Sequence, residues 1–275
     1  MRLEDKIAVV TGVGGRIGGV VASAYAREGA HIAAVDEDGA KAEAVAAQVG
    51  DLGRKALALQ VDVTEKAAVE EMVRRVVSEF GTIDILFNGT GVSHNQAFLT
   101  FAEEDFDHAL AVGLKAFFLT CQAVGRQMAE QGRGGKIVNL SSIVGRLGSG
   151  EAAAWCTTRS GVDAMTRAIA QALGYYGVNV NCLVHGGMES IPYPHEAERA
   201  ERRRRIPFGR LGKPEDLIGG AIFLASDESD FVTGEQLYVD GGYTTAAVTE
   251  DGYRPEWARA THTAEGPRQD KYARP

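Results

Sequence analysis

Short apolar runs rich in β-formers alternate with longer stretches of helical periodicity along most of the chain. This alternation restricts the fold more than any other feature. Strands are read at Ile7–Thr11, His31–Val35, Ala56–Val61, Ile83–Phe87, Lys136–Leu140 and Val178–Val184. Helices are read between them, from about Ile17 to Glu28, Ala40 to Gly50, Glu65 to Phe80, Glu103 to Glu130 and Ala152 to Tyr175. Strands that are almost continuously apolar have both faces covered, and strand–helix alternation is how a parallel sheet is wired. The expected fold is α/β: one doubly wound parallel sheet, Rossmann-like, with helices on both faces. The chain divides into a domain over residues 1–245 and a polar C-terminal tail over 246–275, which is short of the large apolar residues that would anchor it. The stretch from Gly186 to Gly212, with Pro192, Pro194 and Pro207, breaks the rhythm and is read as irregular. An excursion after a late strand lies over the strands' carboxyl ends, where ligands bind in such sheets. Its run Arg202–Arg205 is read as a solvated helix face paired with Glu196, Glu198 and Glu201 rather than as an anion site.

The first strand runs straight into Thr11-Gly12-Val13-Gly14-Gly15-Arg16-Ile17-Gly18, which opens a helix. Glycines between strand and helix allow a tight turn and close backbone approach to a pyrophosphate held on the helix's first amides. Gly12, Gly15, Arg16, Ile17 and Gly18 are the candidate residues. The second strand ends in Asp36, at the separation where a carboxylate accepts hydrogen bonds from the ribose hydroxyls of NAD. Its charge repels a 2′-phosphate, so NAD is the expected cofactor. The formal net charge of −8 argues against a nucleic-acid partner. No apolar run is read as reaching the roughly 18 residues of a membrane span, and no basic-then-apolar leader is seen. Cys121, Cys156 and Cys182 are odd in number and lack metal-ligand spacing, so no metal is expected. They suit buried thiols in a reducing compartment, and the expected location is cytoplasmic.

Further along, Asp62-Val63, Asn88-Gly89-Thr90-Gly91, Ile137-Val138-Asn139-Leu140-Ser141-Ser142, Arg210-Leu211-Gly212-Lys213-Pro214-Glu215-Asp216 and Val239-Asp240-Gly241-Gly242 each follow or end an element. On these motifs the chain resembles the short-chain dehydrogenases and reductases over roughly residues 3 to 245. The resemblance places Asp62 and Val63 beside the adenine, Asn88 and Gly89 along the cofactor, and Ser190 at its carboxamide. It also implies hydride transfer between NAD(P) and a carbonyl or alcohol carbon. The proton is handled by a tyrosine, by a lysine four residues later that also holds the ribose, by a serine thirteen residues before the tyrosine, and by a water-anchoring asparagine in the middle helix. Carried over residue by residue, the serine is Ser142. The tyrosine position holds Trp155, the lysine position Arg159 and the asparagine position Gly113. An indole does not ionise usefully, and a guanidinium stays protonated and passes no protons. The usual proton path is therefore missing, although Arg159 keeps the charge expected to hold the ribose.

Four histidine or tyrosine side chains stand near enough in sequence to replace it. His185 lies where the family has a proline beside the nicotinamide, His94 follows the fourth strand, and Tyr193 and His195 sit in the proline-containing excursion. Three readings stay open. The first is an atypical oxidoreductase using Ser142, Trp155, Arg159 and His185 on an unidentified small molecule. The second is a catalytically degenerate subunit that pairs with an active family member, since the family assembles as dimers and tetramers; the active reading expects a homo-oligomer of that kind. The third is non-redox chemistry on the same scaffold, because the halohydrin dehalogenases are similar in fold and use Ser, Tyr and Arg. They lack the dinucleotide loop and keep the tyrosine, and this chain does the reverse.

Overall fold

A computed structural model describes residues 1–92, 96–190 and 196–245. Candidates His94, Tyr193 and His195, and the tail 246–275, lie outside the described residues. Seven strands form one sheet in the order β3-β2-β1-β4-β5-β6-β7, and every neighbouring pair is parallel. They are β1 (Ile7–Thr11), β2 (His31–Asp36), β3 (Ala56–Gln60), β4 (Ile85–Asn88), β5 (Gly135–Ser142), β6 (Val178–His185) and β7 (Gln236–Val239). The helices are α1 (Gly18–Arg27), α2 (Gly39–Asp51), α3 (Lys66–Phe80), α4 (Glu103–Leu110), α5 (Ala116–Gln131), α6 (Ala153–Gly174), α7 (Glu196–Arg205) and α8 (Ile218–Ala225).

The two-residue period of a strand explains how one sequence covers both faces. In β1, Ala8 and Val10 join one core cluster with α1, α2 and α8, including Val21, Tyr25, Val45 and Ile222. Ile7 and Val9 join another with α3 and α5, including Met72, Val76, Val124 and Met128. The strand order reverses between β1 and β4, which opens a crevice at their carboxyl ends.

Two expectations need amendment. The stretch from Gly186 to Gly212 is not irregular throughout, since α7 occupies its middle. There Arg203 pairs with Glu196 while Arg204 and Arg205 pair with Glu201, so these charges satisfy one another on an exposed helix. The helical run Glu103–Gln131, α4 through α5, is long and apolar enough to cross a membrane by length and composition, contrary to the sequence reading. Half of its most apolar 18-residue window is buried within the fold, and α5 supplies Phe117, Leu119, Val124 and Met128 to the core.

α4 and α5 are joined by a π-helical turn, Ala111–Lys115, with Gly113 buried at its centre. Such turns arise where a helix carries one residue too many for regular bonding. Beneath it a chain of buried polar side chains ties α5 and α6 to the sheet. Thr120 donates to Asn88 Oδ1 at 2.8 Å, and the Asn88 amide donates to Asn139 Oδ1 at 2.9 Å. The Asn139 amide donates in turn to Thr166 Oγ1 at 2.9 Å, and Cys182 Sγ lies 3.1 Å from the same oxygen. A fully satisfied buried network fixes register, and breaking it strands the remaining members without partners. Asn139→Ala is expected to lower unfolding stability by about 1–3 kcal/mol, read as a fall in the urea midpoint at unchanged slope.

Candidate active site

The glycine turn after β1 is shaped by its lack of side chains. Gly12 has φ +69°, and a β-carbon there would sit 3.0 Å from the Gly89 carbonyl carbon and oxygen. A β-carbon on Gly18 would run into the Gly12 carbonyl oxygen. The Gly12 amide donates to Val35 O at 2.8 Å and the Gly15 amide to Gly12 O at 3.0 Å, which closes the turn. Ile17 precedes α1 and gives it no side-chain cap, so the helix presents its first amides without a protein side chain across them. Arg16 is exposed on the turn. This cradle fits a dinucleotide: Gly12, Gly15, Ile17 and Gly18 leave room for the pyrophosphate, and the amides face a negative charge favourably.

Asp36 ends β2 beside the turn. Its Oδ2 accepts from the Gly14 amide at 2.8 Å and its Oδ1 from the Asp38 amide at 3.1 Å. Each oxygen retains a second lone pair, so a ribose hydroxyl has an acceptor there. Asp62 follows β3, where bonds from the Thr64 hydroxyl (2.7 Å) and amide (2.9 Å) hold its carboxyl below the usual range. Val63 is buried in the core cluster on the α3 side. Asn88 is buried, and its side chain belongs to the network described above rather than to the crevice. What the end of β4 offers the crevice is backbone, at Gly89. Ser190, half-buried, follows a segment pinned by Glu189 N to Gly212 O and Gly212 N to Gly187 O.

Ser142 and His185 are register partners at the carboxyl ends of β5 and β6. His185 Nδ1 is 2.8 Å from Gly186 O. A carbonyl only accepts, so the proton is assigned to Nδ1, and Nε2 is left as an acceptor. Burial pushes the imidazole down to about 4, and the charge of Arg159 adds to the shift against the opposing Gly186 hydrogen bond. An imidazole in water titrates near neutrality, and here low-dielectric surroundings disfavour the charged ring.

Arg159 departs furthest from expectation. The residue is 1% exposed. Its Nη1 donates to Leu140 O at 2.8 Å, and its Nη2 to Gly113 O at 3.3 Å and Thr90 O at 3.4 Å. The guanidinium carbon lies 4.2 Å from the Trp155 ring centroid and 5.1 Å from that of Phe117. Burial draws its pKa down to about 10, so the group still carries its charge at neutral pH. The resemblance implied a contact with a ribose; the partners the structure shows are three main-chain carbonyls. Glycines line the space it fills. A β-carbon on Gly91 would meet Nη2 at 2.8 Å and Trp155 Cζ3 at 2.9 Å. One on Gly113 would meet Thr158 Cγ2 at 3.0 Å and Nη2 at 3.2 Å. The carbonyls of Thr90 and Leu140 and the Phe117 ring were not foreseen, since main-chain acceptors leave no mark in a sequence. The signal that was legible is the joint appearance of arginine at 159 and glycine at 113.

The comparisons agree with this architecture. The family model described as enoyl-(acyl carrier protein) reductase matches residues 12–244. D-threitol dehydrogenase of Mycolicibacterium smegmatis is 38% identical over 247 residues, covering 88% of this chain and 94% of its own length. Sorbitol dehydrogenase of Cereibacter sphaeroides is 35% identical over 255 residues, covering 88% and 98%. Among solved structures, a short-chain type dehydrogenase/reductase from Mycobacterium marinum superposes with TM-score 0.83 at 33% identity, covering 89% of this chain and 97% of that one. An NAD+-bound xylitol dehydrogenase superposes with TM-score 0.82 at 30% identity, covering 88% and 100%. With its parallel sheet, its glycine turn and these matches over nearly the whole described domain, the chain belongs to the short-chain dehydrogenase/reductase family of oxidoreductases.

Proposed function

We propose that the chain is an atypical NAD(H)-dependent oxidoreductase acting on a carbonyl or secondary alcohol of a polyhydroxylated small molecule, without a tyrosine–lysine proton relay. The observation that carries this reading is a dinucleotide cradle beside Ser142 and His185, where Trp155 and Arg159 stand at the positions of the family's tyrosine and lysine. The polyol class is supported by the relatives named for D-threitol, sorbitol and xylitol. A nicotinamide dinucleotide, when bound, supplies the hydride acceptor or donor. Gly12, Gly15, Arg16, Ile17 and Gly18 would hold its pyrophosphate, Asp36 its ribose, Asp62 and Val63 the adenine side, and Ser190 the carboxamide. Ser142 orients the substrate oxygen through its hydroxyl. Trp155 gives the pocket an aromatic wall. His185 offers the Nε2 lone pair, which would take the proton of an alcohol as its hydride passes to the oxidised cofactor and return that proton in the reverse reaction. Three unpaired thiols, two of them buried, accord with a cytoplasmic setting, and a homodimer or homotetramer is the assembly this reading expects.

A second reading has one observation in its favour. Arg159 is buried with its donors on main-chain carbonyls, an arrangement built for rigidity rather than turnover. A degenerate subunit that pairs with an active family member would keep the fold and cradle and need no proton path.

Calorimetry should show NADH bound more tightly than NADPH by about tenfold, the value of roughly 1.4 kcal/mol of repulsion between Asp36 and a 2′-phosphate. No heat at millimolar concentrations of either would defeat the cofactor assignment. His185→Gln is expected to lower kcat for polyol oxidation by about 10², and the unmodified chain should show no inflection near pH 6.5 in its rate profile. The same ring destabilises the fold in acid. Its folded pKa lies below the unfolded value, so the unfolded chain binds the extra proton first, and stability falls as pH drops from about 6.5 to about 4. In His185→Gln, chemical denaturation across that range should lose this component of the slope. The triple variant Trp155→Tyr, Arg159→Lys, Gly113→Asn should raise turnover on simple ketones with NADH by at least about tenfold. Failure to gain would favour the degenerate subunit.

A further inference from the structure

We propose that Arg159 is a positioning residue for the dinucleotide cradle, and that Gly91, Gly113 and Trp155 are the space and the cover its guanidinium requires. Arg159 is a buried cation with no carboxylate bonded to it among the described residues. A buried charge is tolerated when its N–H groups find acceptors and its faces find polarisable partners. Here the acceptors are the carbonyls of Thr90, Gly113 and Leu140 and the partners are the Trp155 and Phe117 rings, while Nε has no hydrogen-bond partner among the described residues and the charge of Asp163 acts from a distance. Those carbonyls belong to three separate pieces of chain: the turn after β4, the π-helical turn between α4 and α5, and the strand β5 that carries Ser142. A planar fork with fixed donor directions holds them in one spatial relation, which a lysine's single ammonium cannot reproduce.

The link to the cradle runs through the turn after β4. Gly12 packs on the Gly89 carbonyl and the Thr90 amide, with its β-position 3.0–3.1 Å from those atoms. The carbonyl of that same Thr90 accepts from Arg159 Nη2. Loosening Arg159 therefore loosens the support against which the glycine turn rests. On the other side, a side chain at Gly113 enters the space of Nη2 and of buried Thr158, whose hydroxyl is held by Trp155 O at 3.0 Å. The four residues are thus one unit, and changing a single member disturbs the rest.

A thermal double-mutant cycle tests the coupling. Gly113→Ala gains the same helix propensity in any background, so the cycle cancels it. In the unmodified chain Gly113→Ala should lower Tm by a few degrees, whereas in Arg159→Lys, where only the contact with Thr158 remains, the loss should be smaller by about 2–4 °C, the shift expected of roughly 1 kcal/mol in a domain this size. Equal shifts in both backgrounds overturn the proposal. Should Gly113→Ala not fold alone, folding of the double variant supports the coupling and its failure overturns it. Positioning is read separately by amide exchange at 10 °C, well below melting. Arg159→Lys should speed exchange about tenfold or more in peptides spanning 10–18 and 86–92 but not in β2 or β3, and uniform or unchanged exchange counts against it. The effect on affinity rests on the functional reading above: NADH should bind Arg159→Lys about tenfold more weakly. Absence of NADH binding by the unmodified chain would defeat that reading alone, since melting and exchange decide the clamp without it.

Discussion

Removing a guanidinium from water is costly unless every face and most N–H groups are matched, and the reacting end of this sheet is organised around one such match. At Arg159 the matching groups are main-chain carbonyls and aromatic rings rather than a carboxylate. That choice has consequences for its neighbours. The π-helical turn frees a carbonyl at Gly113 for the guanidinium to take, Gly113 and Gly91 leave the volume open, and Trp155 closes over the cation. His185, adjoining on β6, is kept neutral by the same burial and the same charge.

The cradle obeys a different constraint. Strand order reverses at β1 and β4, so the helices that follow these strands depart on opposite sides, and a crevice opens whatever the chemistry beside it. The glycine turn depends on close backbone approach, Gly12 to Gly89 and Gly18 to Gly12, and on the Asp36 carboxylate that holds the Gly14 amide. The crevice itself follows from strand order, whereas Arg159 bears on it only through the turn after β4.

Much of the fold was legible because period-2 apolar runs and helical periodicity are local properties. The strands at 7, 31, 56 and 178 and the helices between them lie within a few residues of where the sequence placed them. The prolines around α7 hid its bounds, although a helix face there, with arginines paired to Glu196 and Glu201, was readable from helical spacing. At the site, Gly12, Asp36, Ser142, Trp155 and Arg159 could all be named in advance. The direction of the Arg159 side chain could not, because its partners are carbonyls, which every residue carries. The low pKa of His185 was hidden for a related reason: a sequence shows an imidazole but not the depth at which it is buried.

Asp36 does two jobs with one carboxylate. Besides the ribose contact proposed for it, it latches the glycine turn through the Gly14 amide and its own loop through Asp38. Any redesign of this protein for a phosphorylated dinucleotide that simply deletes the acid would therefore also unfasten the turn meant to receive the pyrophosphate. A successful exchange has to supply a new acceptor for the Gly14 amide at the same time as a cation for the phosphate, and Lys41, already packed against Gly14, is the side chain around which such a replacement would be built.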